Sequence, residues 1–246
     1  MASTPAIPAA TLVTVREQPG SAPELLMVER AEGMAFAAGA LVFPGGRIDE
    51  GDRQIAPDES AAAAVAAIRE TLEETAIPIG LLPAPAAETC LQLQAELLAN
   101  ASFVSLLERR GLELDLRALI PFARWVPKFH ATRCFDTIFF LARAPGSDWT
   151  PRVAEGECSG AFWISAAQVL AREARGEARL IFPTRRNLER LAKHSSFEQM
   201  RADAEAHPIE PISPWVEEIE GENFITIPEG IGYPVTREKL DGLWRG

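Results

Sequence analysis

The segment Arg69-Glu70-Thr71-Leu72-Glu73-Glu74-Thr75-Ala76-Ile77 decides how this chain is interpreted, because on a helix it presents three carboxylates together. Glu70, Glu73 and Glu74 stand at i, i+3 and i+4, so they share one helical face with Cβ atoms roughly 5–6 Å apart. Like charges this close repel one another, and no lysine or arginine follows four residues later to relieve them. Arg69 is adjacent in sequence and is expected to point elsewhere. Such a face is either solvated or binds a cation.

The residues before this segment predict a long helix and a close backbone approach. From Glu59 an alanine-rich run leads into the carboxylates, and alanine has the highest helix propensity. Pro78 is expected to stop this helix. The turn Gly45-Gly46 precedes it, and glycines let the backbone approach a metal ion or phosphate where a Cβ would not fit. Because Mg²⁺ prefers oxygen ligands, the acidic face and the glycine turn together favour a metal site.

These residues resemble the signature of the Nudix family, which is a glycine, five residues, a glutamate, seven residues and Arg-Glu-aliphatic-x-Glu-Glu-x-Gly-aliphatic. Gly46 takes the first position and residues 69–77 match the second half. Thr71 and Ala76 replace the aliphatic residue and the glycine. The three glutamates of the second half, Glu70, Glu73 and Glu74, are all retained.

The loop between the two halves of the signature is longer than in the family. Asp52 stands where the lone glutamate is expected, and sixteen residues rather than seven separate it from Arg69, an insertion of about nine. In the family this position is mainly structural and forms salt bridges, often with the signature arginine. Asp52 and Glu59 both remain candidates for that role.

The resemblance implies an α/β fold, the Nudix-like α/β/α sandwich with a mixed sheet. It also implies Mg²⁺ or Mn²⁺ bound by Glu70, Glu73 and Glu74, with the carbonyl of Gly46 as an additional ligand. The reaction would be attack of water on a phosphorus of an X–diphosphate–Y substrate, with the metal neutralising phosphate oxygens and lowering the pKa of the water. The implied catalytic residues are Glu70, Glu73 and Glu157.

The proton acceptor is left open between Glu70 and a glutamate from a later loop. Glu157 is the candidate for the latter, since it lies six residues before Trp163, about where many Nudix proteins carry a glutamate. A plain loop carboxylate is an equally good interpretation of Glu157.

The flanking residues resemble the branch that includes the peroxisomal coenzyme A diphosphatases. The residues that carry it lie at 25–49, including Phe43-Pro44-Gly45-Gly46, and downstream at 125–140. The resemblance covers roughly residues 10–195 and resumes weakly at 232–234. One position departs, because Ala35 stands where the coenzyme A motif has its second arginine. Four cations could contact substrate phosphates, although each is explained equally well as a surface residue: Arg30, Arg47, Lys128 and Arg133.

Three functions follow from these observations. The first is a metal-dependent hydrolase that cleaves the diphosphate linkage of a nucleoside diphosphate-linked small molecule, with coenzyme A or an acyl-coenzyme A as the specific candidate. The second is an ADP-ribose, dinucleotide or nucleotide diphosphatase on the same scaffold. The third is a non-catalytic Nudix-fold ligand sensor, which usually lacks one or more of the signature carboxylates.

The pattern of the whole chain predicts one Nudix domain, residues 1–246, with a helical insertion at about 79–118 and a C-terminal extension at about 196–246. Residues 47–58 are expected to form a polar loop, and Thr184 is expected to cap a helix over 185–193. The other predicted elements are strands at 10–15, 24–30, 123–127, 137–142 and 160–164, and helices at 86–98, 102–110 and 166–175. In the C-terminal extension, residues 223–227 are noted only as one apolar segment.

Composition disfavours a nucleic acid polymer as the main partner, and the resemblance implies a small-molecule diphosphate instead. The formal net charge of −11 would repel a nucleic acid polymer at long range. No run approaches the roughly 18 apolar residues that cross a bilayer, and the N-terminus has no secretory signal pattern, so a cytoplasmic protein without a membrane partner is expected. The three cysteines are expected to be reduced. The oligomeric state is open; Nudix enzymes often form homodimers, and residues 213–246 could serve as an arm.

Overall fold

The computed structural model describes residues 6–33, 37–126, 134–153 and 158–240. The helices in these ranges are α1 (Glu50–Gln54), α2 (Glu59–Thr75), α3 (Ala87–Leu98), α4 (Phe103–Arg110), α5 (Ala166–Ala174), α6 (Phe182–Leu191) and α7 (Phe197–Glu205). The strands are β1 (Ile7–Arg16), β2 (Glu24–Arg30), β3 (Leu41–Val42), β4 (Gly45–Arg47), β5 (Leu81–Leu82), β6 (Glu113–Leu114), β7 (Ile120–Trp125), β8 (Phe135–Arg143), β9 (Cys158–Ser165), β10 (Pro211–Ile212), β11 (Trp215–Ile219), β12 (Glu222–Thr226) and β13 (Arg237–Lys239).

A mixed sheet forms the centre of the molecule, as predicted. Its strands follow the order β10-β7-β8-β1-β2-β3, with β4 also paired to β1 and β9 to β2. The long β1–β8 pair is parallel, whereas β7 runs antiparallel to β8 and β9 runs antiparallel to β2. Because β1 and β2 are apolar along most of their length, they bury side chains on both faces of the sheet.

Helices cover both faces, which gives the three layers expected of the fold. Leu26 of β2 packs in the core that contains α2, α3 and α4. Leu25 and Met27, its neighbours in the strand, pack instead in the core that contains α5, α6 and α7. This alternation follows from the two-residue period of a strand, which sends successive side chains to opposite faces.

Helix α2 carries the three signature carboxylates and is fixed at both ends. Asp58 caps its first turn, since the side chain accepts a hydrogen bond from the backbone N–H of Ala61 at 2.8 Å. The helix ends at Thr75, before Pro78, because Ala76 adopts the left-handed conformation with φ of 57°. The Nudix signature has glycine at this position. The left-handed backbone conformation is less favourable for alanine than for glycine, because only glycine lacks a Cβ.

Two predictions of local structure are wrong. The expected polar loop 47–58 contains helix α1, which Asp49 and Asp52 stabilise through a capping box. Helix α6 begins at Phe182 with Ile181 as its N-cap, so Thr184 lies inside the helix and does not cap it. Pro183 fits this first turn because its fixed φ suits a helix and its missing N–H is not needed there.

Helices α3 and α4 form a hairpin within residues 79–118, the range in which the sequence predicts a helical insertion. The short strands β5 and β6 pair at its base and bring the two ends of the insertion together. Leu93 and Leu106 pack into the α2 side of the core, so the hairpin adds to one layer. The C-terminal extension holds α7 and the sheet β11-β12-β13.

Cys90 is a buried cysteine with a free thiol. No helix in the described ranges is long and apolar enough to cross a membrane.

The turn between β11 and β12 provides a test of local strain. It has two residues, Glu220 and Gly221, with φ of 52° and 81°, which matches a type I′ turn. Asparagine tolerates this conformation better than glutamate, so Glu220→Asn should raise the free energy of unfolding by about 0.5–1 kcal/mol. Urea unfolding measures the change. Glu220→Gln removes the same charge without relieving the backbone, and an equal gain in that control would contradict the assignment.

Candidate active site

The C-terminal half of α2 lies against the glycine turn of β4. Gly45 and Gly46 pair with β1, and a Cβ on Gly45 would lie 2.4 Å from the carbonyl oxygen of Ala10. A Cβ on Gly46 would lie 2.4 Å from Cδ of Glu70. Gly45 requires glycine, because the clashing atoms belong to the backbone, whereas a Cβ on Gly46 would displace the carboxylate of Glu70. The turn and the carboxylates are therefore in direct contact.

Glu74 ties the helix to this turn. Its Oε2 accepts a hydrogen bond from the backbone N–H of Gly45 at 3.1 Å, and the residue is 7% exposed. Glu73 is more open to solvent, with 26% of its side chain exposed. The three carboxylates thus range from buried to partly open along one edge of the helix.

The expectation that Arg69 points away from the carboxylates is wrong. Its Nη1 donates to Oε1 of Glu70 at 2.8 Å and lies 3.6 Å from Oε2 of Glu73. Its Nη2 also donates to the carbonyl of Arg47 at 3.0 Å. The guanidinium of Arg69 therefore compensates the negative charges of Glu70 and Glu73, which the sequence pattern had not indicated. The spacing from Arg69 to Glu73, four residues on a helix, was the signal that could have shown this contact.

Asp52, and not Glu59, takes the structural position of the signature glutamate. Its two carboxylate oxygens each accept a hydrogen bond from Arg69 at 2.9 Å, and its side chain is 1% exposed. Glu59 instead pairs on the surface with Arg53, with 71% of its side chain exposed. Helix α1 explains the longer loop, since it carries Asp52 back toward the signature arginine.

The electrostatics of the site follow from this burial. Burial alone would lower the pKa of Arg69, but the hydrogen bond with Asp52 and the charge of Glu70 outweigh it and raise that pKa. Burial raises the pKa of Glu70 to about 7, although the neighbouring Arg69 acts in the opposite direction. Glu70 is therefore a desolvated carboxyl that changes its charge near neutral pH.

The carboxylates of Glu70, Glu73 and Glu74 offer the oxygen ligands that a hard cation prefers. Their oxygens are not, however, gathered around one point. Among the described residues, no group of three or more His, Cys, Asp or Glu side chains stands close enough to hold a metal ion as placed. Arg69 draws Glu70 and Glu73 toward itself, while the Gly45 N–H holds Glu74. The donors are nevertheless carboxylate oxygens beside a turn with no room for a Cβ, which is the ligand chemistry of Mg²⁺ and Mn²⁺.

Comparison with solved structures identifies the family. The chain is similar to the crystal structure of a NUDIX hydrolase from Alicyclobacillus acidocaldarius, with 31% sequence identity and a TM-score of 0.72. The match covers 82% of this chain and 97% of that one. This chain belongs to the Nudix hydrolases.

A second solved structure is more distant from this Nudix hydrolase. The NUDIX domain of Shewanella oneidensis NrtR, crystallised in complex with ADP ribose, shares 15% identity with a TM-score of 0.44 and covers 77% of this chain and 88% of that one. No family model matches the chain. No curated protein matches it either.

The remaining predicted site residues of this Nudix hydrolase are placed as follows. Arg30 ends β2 and is half-buried, and its backbone N–H donates to the carbonyl of Ala40 at 3.0 Å. Arg47 ends β4 with an exposed side chain. The other residues predicted for the site or its substrate specificity lie outside the described ranges, namely Ala35, Lys128, Arg133 and Glu157.

The assignment of Asp52 can be tested by stability. Asp52→Ala removes the two hydrogen bonds that join the buried Arg69 guanidinium to its most buried carboxylate partner, so the free energy of unfolding should fall by about 3–5 kcal/mol. Glu59→Ala breaks an exposed pair and should cost less than about 1 kcal/mol. Urea unfolding of the two variants gives both values. Similar losses in the two variants would remove the distinction between the residues.

The raised pKa of Glu70 predicts how stability depends on pH in metal-free protein. The folded state holds this proton up to about pH 7, whereas the ordinary pKa is 4.5, so the folded state binds more protons between these values. The free energy of unfolding should therefore fall as pH rises through this interval, and Glu70→Gln should reduce the fall. Urea unfolding at pH 5 and pH 8 with a chelator measures it. An unchanged pH dependence in the variant would show that Glu70 titrates normally.

Proposed function

We propose that this Nudix hydrolase is a divalent-cation-dependent diphosphatase acting on nucleoside diphosphate-linked small molecules. The observation that carries the proposal is the contact of the carboxylate helix with the glycine turn, where Glu74 accepts from Gly45 and Glu70 lies against Gly46. A diphosphate carries several negatively charged oxygens close together. This site offers carboxylate ligands for a cation that would neutralise those oxygens, beside a glycine turn whose backbone can approach the phosphate closely. The retention of all three signature carboxylates argues against a sensor without catalysis.

In the proposed mechanism Glu70, Glu73 and Glu74 would hold Mg²⁺ or Mn²⁺, with the carbonyl of Gly46 as a further ligand. When bound, the cation would neutralise phosphate oxygens and make a bound water more acidic. Gly46 leaves the space that a side chain would fill, and Glu74 keeps the turn against the helix. Arg69, fixed by Asp52, limits the repulsion between Glu70 and Glu73.

Glu70 is a suitable proton acceptor for the attacking water. Its carboxylate lies against Gly46, where the cation and the attacking water would bind, so it is placed to accept the proton. Glu157 is the alternative candidate for the base.

Coenzyme A or an acyl-coenzyme A is the proposed specific substrate, on the resemblance of the residues flanking the signature. Arg30, Arg47, Lys128 and Arg133 are the proposed phosphate contacts, because guanidinium groups bind phosphate oxygens in pairs and lysine binds them as a point charge. Ala35 removes one arginine of the coenzyme A motif. That change favours hydrolysis of ADP-ribose, dinucleotides or nucleotides as the second candidate.

A substrate panel tests these alternatives. The protein is incubated with Mg²⁺ or Mn²⁺ and coenzyme A, ADP-ribose, diadenosine polyphosphates or nucleoside triphosphates, and the products are separated and identified. Coenzyme A should give 3′,5′-ADP and 4′-phosphopantetheine, and cleavage at any other bond would discard that substrate assignment. Tight ligand binding without hydrolysis across the panel would favour a sensor.

On the best substrate of the panel, Glu74→Gln should lower kcat by about a hundredfold or more with little change in the folded structure. The reason is that the variant loses one anionic oxygen donor of the proposed cation site. Glu59→Gln is the matched control, because it changes the same residue type on the same helix at an exposed position, and it should retain full activity. Full activity in Glu74→Gln would refute the metal-site assignment.

A further inference from the structure

The C-terminal end of α2 is held by groups from outside the helix. An α-helix leaves its last four carbonyls without partners in the helix, and buried carbonyls must find donors elsewhere. Here the N–H of Ala76 donates to the carbonyl of Leu72 at 2.8 Å, which closes the last turn. The carbonyls of Glu73 and Thr75 instead accept from residues distant in sequence.

Gln94 of the inserted helix α3 provides one of these donors. Its Nε2 donates to the carbonyl of Glu73 at 2.9 Å and also to the carbonyl of Arg152 at 2.7 Å. Gln94 is 6% exposed. One buried amide group thus uses both of its hydrogens to join the end of α2 to the segment 149–153.

The segment 149–153 is itself bound to α2 and to the sheet. The backbone N–H of Arg152 donates to the carbonyl of Thr75 at 2.8 Å. The indole N–H of Trp163, on β9, donates to the carbonyl of Trp149 at 2.8 Å. With Gln94, these bonds form a continuous set of contacts from the insertion through the last turn of α2 to the central sheet.

We infer that Gln94 is a positioning residue of the site, holding the last turn of α2 so that the carboxylate of Glu73 stays beside Arg69 and that of Glu74 stays beside the glycine turn. This inference rests on the proposed function. Glu73 contributes its carboxylate to the site and its carbonyl to Gln94, so a shift of that carbonyl also moves the carboxylate. Glu74 is the next residue and its hydrogen bond to Gly45 depends on the same turn.

Packing alone does not explain a glutamine at this position. Apolar residues of α3, Cys90, Leu93 and Leu97, already lie in the core with α2. Burying an amide is favourable only when it makes hydrogen bonds, and Gln94 makes them with carbonyls of two separate segments. Methionine has similar size and no N–H donor, so Gln94→Met separates the hydrogen bonds from the packing.

The experiment compares Gln94→Met with Gln92→Met, which makes the same substitution at an exposed position of α3. Mn²⁺ affinity is measured without substrate, and amide exchange is followed at Arg152. Gln94→Met should weaken Mn²⁺ binding about tenfold, the usual scale for residues that orient metal ligands, and should speed exchange of the Arg152 amide. Gln92→Met should match the wild type in both measurements.

Steady-state kinetics on the best substrate provide a third measurement. At saturating metal, Gln94→Met should lower kcat with little change in KM, since the change affects the carboxylate helix and not the substrate contacts. A variant that is only less stable would show a lower melting temperature with unchanged Mn²⁺ affinity.

The outcomes separate the inference from the proposed function. Unchanged Mn²⁺ affinity and unchanged Arg152 exchange in Gln94→Met would overturn the inference while leaving the proposed function intact. Equal effects in Gln92→Met would overturn it too, because the change would then not depend on the hydrogen bonds. Failure of the wild type to bind Mn²⁺ would overturn the proposed function and the inference together.

Discussion

The buried pair of Arg69 and Asp52 is the interaction on which the rest of the site depends. Transferring two charges out of water is costly, and only close, paired hydrogen bonds offset that cost. Here both carboxylate oxygens of Asp52 are used, and the guanidinium has donors left for Glu70 and for the carbonyl of Arg47. The pair therefore connects helix α1, helix α2 and strand β4, which are the three elements that form the site.

The carboxylate helix is a balance of opposing charges. Glu70 and Glu73 repel each other, Arg69 compensates them, and Glu74 is held separately by the backbone of the glycine turn. A divalent cation would compete with Arg69 for the same oxygens. The inserted hairpin takes part in this arrangement, because Gln94 contacts the backbone of the helix that carries the carboxylates.

Local sequence was sufficient to predict most of the secondary structure. The alanine run predicted α2, the apolar segments predicted β1 and β2, and the two helices of the insertion were placed correctly. These elements depend on propensity and hydrophobic period, which neighbouring residues determine. Predictions failed where a short element depended on its own caps, as in α1, or where proline opened a helix earlier than the expected cap, as in α6.

By itself, the sequence determined the ligand chemistry of this protein: three carboxylates on one helical face, a glycine turn before them, and an arginine at the start of the signature. Only the tertiary structure decided how they are arranged. The direction of Arg69, the choice of Asp52 over Glu59 and the contact of Gln94 with Glu73 all depend on residues far apart in the chain. Such contacts are selected by burial, since a buried charge or carbonyl must find a partner wherever the fold places one.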